Sequence, residues 1–97
     1  MPITIKPYLD IQFDQPKVYL VSILSSDYVS WEFCMKILIY TFHMTPERAK
    51  TLSNEILTNG EALCGVYILE IAETKAVTVE EQAKKEGFTL CCLVEEV

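Results

Sequence analysis

The chain has 97 residues, 51% of them hydrophobic and 23% charged, with a formal net charge of −6. That length and balance describe one globular domain, able to hide roughly two-thirds of its unfolded surface, and exclude a disordered chain. Fourteen acidic against eight basic residues, with no basic stripe, exclude nucleic-acid binding, because phosphate contacts need clustered Lys and Arg.

The acidity is uneven. Residues 1–45 hold four acids (Asp10, Asp14, Asp27, Glu32) against three bases, and residues 46–97 hold ten acids against five bases. Such a surface favours solubility and a basic protein partner.

In chain order, residues 1–16 alternate. Ile3, Ile5, Leu9, Ile11 and Phe13 fall on one parity, and Thr4, Lys6, Asp10, Gln12 and Asp14 on the other. This is the period of a half-buried strand, interrupted by Pro7. The segment is read as an N-terminal extension, expected to lie along the domain or to pair with a second copy. It has no charged leader followed by an apolar stretch, so it does not read as a signal peptide, and the chain is expected in the cytoplasm.

The core domain is expected over residues 17–97. Val18 to Leu24 is rich in β-branched and aromatic residues and predicts a strand. The polar run Ser25 to Ser30 is a loop, and Ser30 is placed to cap the helix that follows. In that helix Phe33, Ile37, Tyr40 and Thr41 share a face, flanked by Cys34, Leu38 and Phe42, so it is expected to be well buried. Its apolar run, Phe33 to Phe42, contains Lys36 and falls short of the roughly 20 residues a membrane span needs.

Thr45-Pro46-Glu47 opens a second helix with a cap, a proline at the first helical position and an acid in the first turn. Asn59-Gly60 stops it in the left-handed region. Ala62 to Ile68 predicts a second strand. A third helix starts near Leu69 or Glu70 and ends at Gly87, with Glu80–Lys84 and Glu81–Lys85 spaced for surface pairs. Phe88 to Val94 predicts a third strand. The order β-α-α-β-α-β describes an α+β fold: a small antiparallel sheet with helices on one face.

Catalytic constellations are wanting. His43 is the only imidazole and has no metal-ligand partners at helical spacing. The four cysteines, Cys34, Cys64, Cys91 and Cys92, form no CxxC pair and read as buried reduced thiols. The three glycines are isolated, so no phosphate loop exists. No enzyme activity, metal or cofactor is expected. Trp31, at the lip of the polar loop, is either core or the anchor of a pocket or partner.

Several strings go further: "DYVSWEF" at Asp27–Phe33, "ERA" at Glu47–Ala49, "CGVY" at Cys64–Tyr67, "EIAETK" at Glu70–Lys75 and "LCCLVE" near the end. With the element order, they resemble ClpS, the adaptor family of the bacterial Clp protease, from about Lys17 to Val97. The resemblance implies two surfaces. One docks on the N-terminal domain of a ClpA-type AAA+ unfoldase through Glu70, Glu73 and Lys75. The other is a pocket that holds the first residue of a protein with a destabilising N-terminus, an N-degron.

At the pocket this chain departs from the family pattern. The family loop reads Asn-Asp-Asp-Tyr, and with a histidine in the second helix it binds the α-amino cation. Here Ser25 and Ser26 replace the Asn and the first Asp, Asp27 keeps the second, and Leu57 stands at the histidine. The threonine and methionine of the lip fall on Val29 and Trp31, and a pocket methionine falls on Ser53. Ile56 and Leu90 keep the apolar lining. The expected function is therefore a divergent, non-enzymatic ClpS-type adaptor with altered or lost N-degron recognition. The alternatives are an unfoldase modulator without cargo and an interaction domain that kept only the fold. N-degron or other substrate peptides remain conceivable ligands; neither nucleic acid nor membrane is expected as a partner.

Overall fold

The computed structural model describes residues 17–97, so the expectations for residues 1–16 lie outside it. Six elements follow in order: β1 (Val18–Ser25), α1 (Trp31–Tyr40), α2 (Pro46–Asn59), β2 (Glu61–Ile68), α3 (Leu69–Lys85) and β3 (Leu90–Glu96). This is the β-α-α-β-α-β order read from the sequence. β1 is central in a three-stranded sheet of order β2-β1-β3, and both pairings are antiparallel.

Alternation decides which face the helices cover. Val21 and Ile23 of β1, Ala62 and Cys64 of β2, and Leu90 of β3 are buried. They meet Phe33, Cys34, Ile37 and Leu38 of α1, Ala49, Leu52 and Ile56 of α2, and Ala72, Val79 and Ala83 of α3 in one cluster. The small residues on α3 let that helix lie close to the sheet. Among the described residues no helix is long and apolar enough to cross a membrane.

The helix ends are set locally. Ser30 accepts a hydrogen bond from the Phe33 N–H at 3.1 Å, and Thr45 accepts one from the Arg48 N–H at 3.3 Å. Each satisfies a donor that the first helical turn leaves free. Gly60 follows α2 at φ 83°, and its N–H returns to the Ile56 carbonyl.

Of the four cysteines read as buried, Cys34 and Cys64 are, while Cys91 is exposed and Cys92 half-buried, because neighbours on β3 point to opposite faces of the sheet. The structure corrects three further details. Tyr40 is exposed rather than part of the buried face of α1. The buried stripe is centred between Phe33/Ile37 and Cys34/Leu38, which leaves Tyr40 about 90° off its axis. β3 starts at Leu90, not Phe88, because the Phe88 N–H bonds the Ala83 carbonyl at 2.8 Å and closes the end of α3. The Phe88 ring instead packs on Phe33, with centroids 5.1 Å apart. Finally, Glu80 does not serve a surface pair with Lys84; its carboxylate accepts the Cys92 backbone N–H at 3.0 Å.

β2 carries an irregularity that the sequence does not announce. Val21 pairs with Gly65 and Ser22 with Leu63, so the register skips Cys64. The bulge reverses the parity of the strand, as one extra residue must. Ala62 and Cys64 point inward before it, and Tyr67 packs on the core after it. The Tyr67 ring lies over Gly65, where a Cβ would come within 2.6 Å of the phenol oxygen. Tyr67 also stacks near Phe42 at 6.3 Å, and burial pushes its phenol pKa up.

Gly65→Ala is expected to displace this ring and to lower stability by about 1–3 kcal/mol in chemical denaturation. In a Tyr67→Ala background the same change should cost at most about 0.5 kcal/mol, since the two residues then no longer compete for space. Equal costs in both backgrounds would refute the packing described.

Candidate functional site

The β1–α1 loop and the C-terminal turn of α2 enclose an open depression of about 640 Å³. Its position follows from the backbone. The Ser25 N–H donates to the Gly60 carbonyl at 2.8 Å, which clamps the end of β1 to the turn after α2. The Ser25 hydroxyl donates to the Asp27 carbonyl at 2.8 Å, a local turn of the kind serine favours. That bond uses the hydroxyl proton and leaves the oxygen able to accept.

Of the nine pocket residues expected from the sequence, seven line this depression: Ser25, Ser26, Asp27, Val29, Trp31, Ile56 and Leu57. Val29 is buried, Asp27 is exposed and Leu57 is half exposed. Trp31 does not fill the space. Its indole N–H donates to the Asn54 side-chain carbonyl at 3.3 Å, which ties the ring to α2 as one wall.

Ser53 and Leu90 lie outside the lining. Ser53 is fully buried one turn before Ile56 and Leu57, and its hydroxyl has no hydrogen-bond partner. Leu90 pairs in register with Ser25, under the loop. Thr58, Asn59 and Gly60 also line the depression. The sequence marked Asn59-Gly60 only as a helix stop; that a stop places its residues beside the loop depends on the β1–β2 register.

Aspartate 27 is the one carboxylate at the rim. The remaining polar groups there are hydroxyls, the Asn59 amide and backbone atoms. This can hold a neutral polar group or a single partly solvated cation. It offers no converging set of acidic acceptors.

The second expected surface lies on α3. Its N-cap is Ile68, with no side-chain cap bond, and Glu70 stands in the first turn. A carboxylate there is favoured by the helix dipole. Glu70 and Glu73 border a shallow groove of about 450 Å³ with Thr74, Val77 and Thr78. Thr74 and Thr78 turn their hydroxyls back onto the helix, to the Glu70 and Thr74 carbonyls at 2.9 Å each. The groove therefore presents carboxylates, methyls and the half-exposed Val77.

Lysine 75 is not brought into that groove. Its ammonium donates to the Thr41 carbonyl at 2.6 Å, at the end of α1. It also stands over the Phe42 and Tyr67 rings, at 5.7 and 5.2 Å from their centroids. α1 has no basic residue in its own last turn, so Lys75 supplies the cation that its carbonyl end favours. Among the described residues no group of three or more His, Cys, Asp or Glu side chains is placed to hold a metal ion.

Comparison with known proteins agrees with this fold. The family model described as ATP-dependent Clp protease adaptor protein ClpS matches residues 14–93. The chain is 42% identical over 88 residues to the adapter protein ClpS of Neisseria meningitidis, covering 91% of this chain and 85% of that protein. It is 40% identical over 82 residues to the ClpS of Nitratidesulfovibrio vulgaris, covering 84% and 79%. Among solved structures, Agrobacterium tumefaciens ClpS2 bound to L-phenylalaninamide superposes with a TM-score of 0.79 at 31% identity, covering 86% of this chain and all of that one. With the family model matching most of the chain and the solved relative sharing its fold, the chain belongs to the ClpS family of ATP-dependent Clp protease adaptors.

Proposed function

We propose that this protein is a non-enzymatic, cytoplasmic adaptor that docks on the N-terminal domain of a ClpA-type AAA+ unfoldase through the start of α3, and that its recognition of destabilising N-termini is altered or lost. The observation that carries the reading is the depression itself. It is open, with Val29, Trp31, Ile56 and Leu57 among its walls, yet only one carboxylate, Asp27, reaches its rim.

L-phenylalaninamide, the ligand of the related ClpS2 structure, presents an aromatic side chain beside a free α-amino group. An ammonium has three donors and calls for several acceptors. A hydrogen bond to a charged group is worth about 1.5–3 kcal/mol, so losing two or three of them costs at least about 3 kcal/mol. A loss of about 4 kcal/mol turns a micromolar ligand into a millimolar one. Burying a leucine side chain contributes only about 1.5–3 kcal/mol and does not offset an under-coordinated cation.

The same chemistry favours a second reading, in which the protein occupies the unfoldase and changes what it degrades without carrying N-degrons. Competition assays separate the two. A cargo adaptor accelerates degradation of a substrate it binds, whereas an occupier only slows degradation of substrates that other adaptors bring.

Three outcomes are expected. First, a peptide beginning with Leu or Phe should bind with a dissociation constant weaker than about 100 micromolar, read from Trp31 fluorescence. A constant below about 10 micromolar, abolished by N-acetylation, would overturn the pocket reading. Restoring Ser25→Asn, Ser26→Asp, Leu57→His and Trp31→Met together should create binding, while no single change should suffice, because the contacts converge on one cation. Second, Glu70→Lys should weaken unfoldase N-domain binding about tenfold or more in calorimetry, with an unchanged melting temperature. A wild-type chain that gives no heat near about 100 micromolar would end the docking proposal. Third, Lys75→Met should lower stability by about 1–3 kcal/mol, because the half-buried Thr41 carbonyl loses its donor. A stable Lys75→Met with weakened docking would instead put Lys75 on the contact surface alone.

A further inference from the structure

The charges around the depression between the β1–α1 loop and the end of α2 are one-sided. None of the residues lining it is basic, and Asp27 stands exposed at its rim. The ion pairs among the described residues are Lys17–Glu96 and Lys36–Glu86, and neither involves Asp27. The Ser25 hydroxyl holds the Asp27 backbone carbonyl, not its carboxylate.

The end of α2 adds to this. A helix leaves its last four carbonyls without an intrahelical donor, and that end carries a partial negative charge. The three helices meet it differently. α3 has Lys84 and Lys85 in its last turn, and α1, with no basic residue there, receives Lys75 at the Thr41 carbonyl. α2 has no basic residue in its last turn, and among the described residues no Lys or Arg side chain is bonded to its carbonyls. Thr58, Asn59 and Gly60, where it ends, line the depression. Tyr28 and Trp31 line it as well, and they are 76% and 38% exposed. An aromatic face attracts a cation within about 6 Å of the ring centroid.

We propose, resting on the altered recognition of free α-amino groups inferred for this site, that the depression takes the side chain of an arginine in a partner polypeptide. An arginine matches each part of it. Its methylene stem lies along apolar surface while the charged head stays at the water, and Ile56 and Leu57 offer that surface beside an open rim. The guanidinium stacks on aromatic rings, pairs with one carboxylate through two parallel hydrogen bonds and is weakly hydrated, so Asp27 and partial solvation suffice. A lysine ammonium is a compact, strongly hydrated point charge and loses more on leaving water for the same partners. The net charge of −6 on the chain draws a cationic partner toward it.

Trp31 is the only tryptophan, so its fluorescence reads the site in the full chain. The probes are N-acetylated, C-amidated peptides with a central arginine, citrulline or lysine between glycines, so that no free α-amino group takes part. The arginine peptide is expected to bind with a dissociation constant on the order of a few hundred micromolar. Lysine should bind several-fold more weakly, and the uncharged, nearly isosteric citrulline about tenfold more weakly or worse. Raising the salt from about 20 to about 500 millimolar should weaken the arginine peptide several-fold. Asp27→Asn should weaken it about fivefold or more. Thr58→Lys, which gives α2 a cation of its own, should weaken it about tenfold with a melting temperature no lower than wild type. Equal binding of arginine and citrulline overturns the proposal, as does an Asp27→Asn chain that binds as well as wild type. Loss of binding in Glu70→Gln alone overturns it in favour of the groove on α3. No binding of the arginine peptide up to about 10 millimolar also overturns it, yet leaves the altered recognition of free N-termini standing. That reading falls instead to a Leu-initiated peptide held tightly through its free amine.

Discussion

The hydrogen bond from the Ser25 N–H to the Gly60 carbonyl joins the parts of the molecule that matter for binding. Gly60 lies at φ 83°, a conformation that costs a side-chain-bearing residue roughly 1 kcal/mol or more. A Cβ there would also press on the Ser25 carbonyl at 3.2 Å. With glycine in place, α2 can end and β2 can begin within one residue, directly against the end of β1. The depression is the space left between that joint and the loop that leaves β1. Its walls are thus set by sheet register and helix capping. This arrangement is consistent with a chain that keeps the ClpS fold while Ser25, Ser26 and Leu57 line the depression.

α3 combines a structural flank and an exposed flank in a few residues. Ala72, Ala76 and Val79 seat it on the sheet. Glu70 and Glu73 face outward over the groove, while Lys75 turns to the end of α1. The "EIAETK" stretch therefore holds two kinds of residue. The glutamates are costly to explain by packing, since they are exposed and touch no cation among the described residues. The lysine is well explained by packing, since it closes a helix end and stands over two aromatic rings. A docking surface built mainly from carboxylates suits a basic partner, in keeping with the acidity of the second half of the chain.

Much of the fold was legible because its signals are local. Ser30, Thr45-Pro46 and Asn59-Gly60 each act through backbone groups within a turn, and α1 begins and α2 begins and ends where those residues place them. The strand character of β1 was equally plain from its β-branched and aromatic residues. What could not be read depends on contacts between distant residues. The bulge at Cys64 accompanies the packing of Tyr67 over Gly65 and near Phe42, which lies far off in sequence. Phe88 looks like strand but caps α3 with its N–H and packs on Phe33. At the site, the resemblance placed seven of the nine pocket residues around one depression, yet it could not show that Ser53 is sealed beneath it or that Asn54 holds Trp31. The inward turn of Lys75 likewise depends on where α1 ends, some thirty residues earlier.

The central claim is that unfoldase contact and the pocket are separate surfaces, with the first kept and the second changed. Hydrogen exchange of the full chain, with and without a saturating ClpA-type N-terminal domain, reads both at once. Added protection is expected at the backbone amides of residues 69–78, with none at residues 25–31 or 57–60. Protection confined to the loop and the end of α2, or no change anywhere at saturation, would contradict the account.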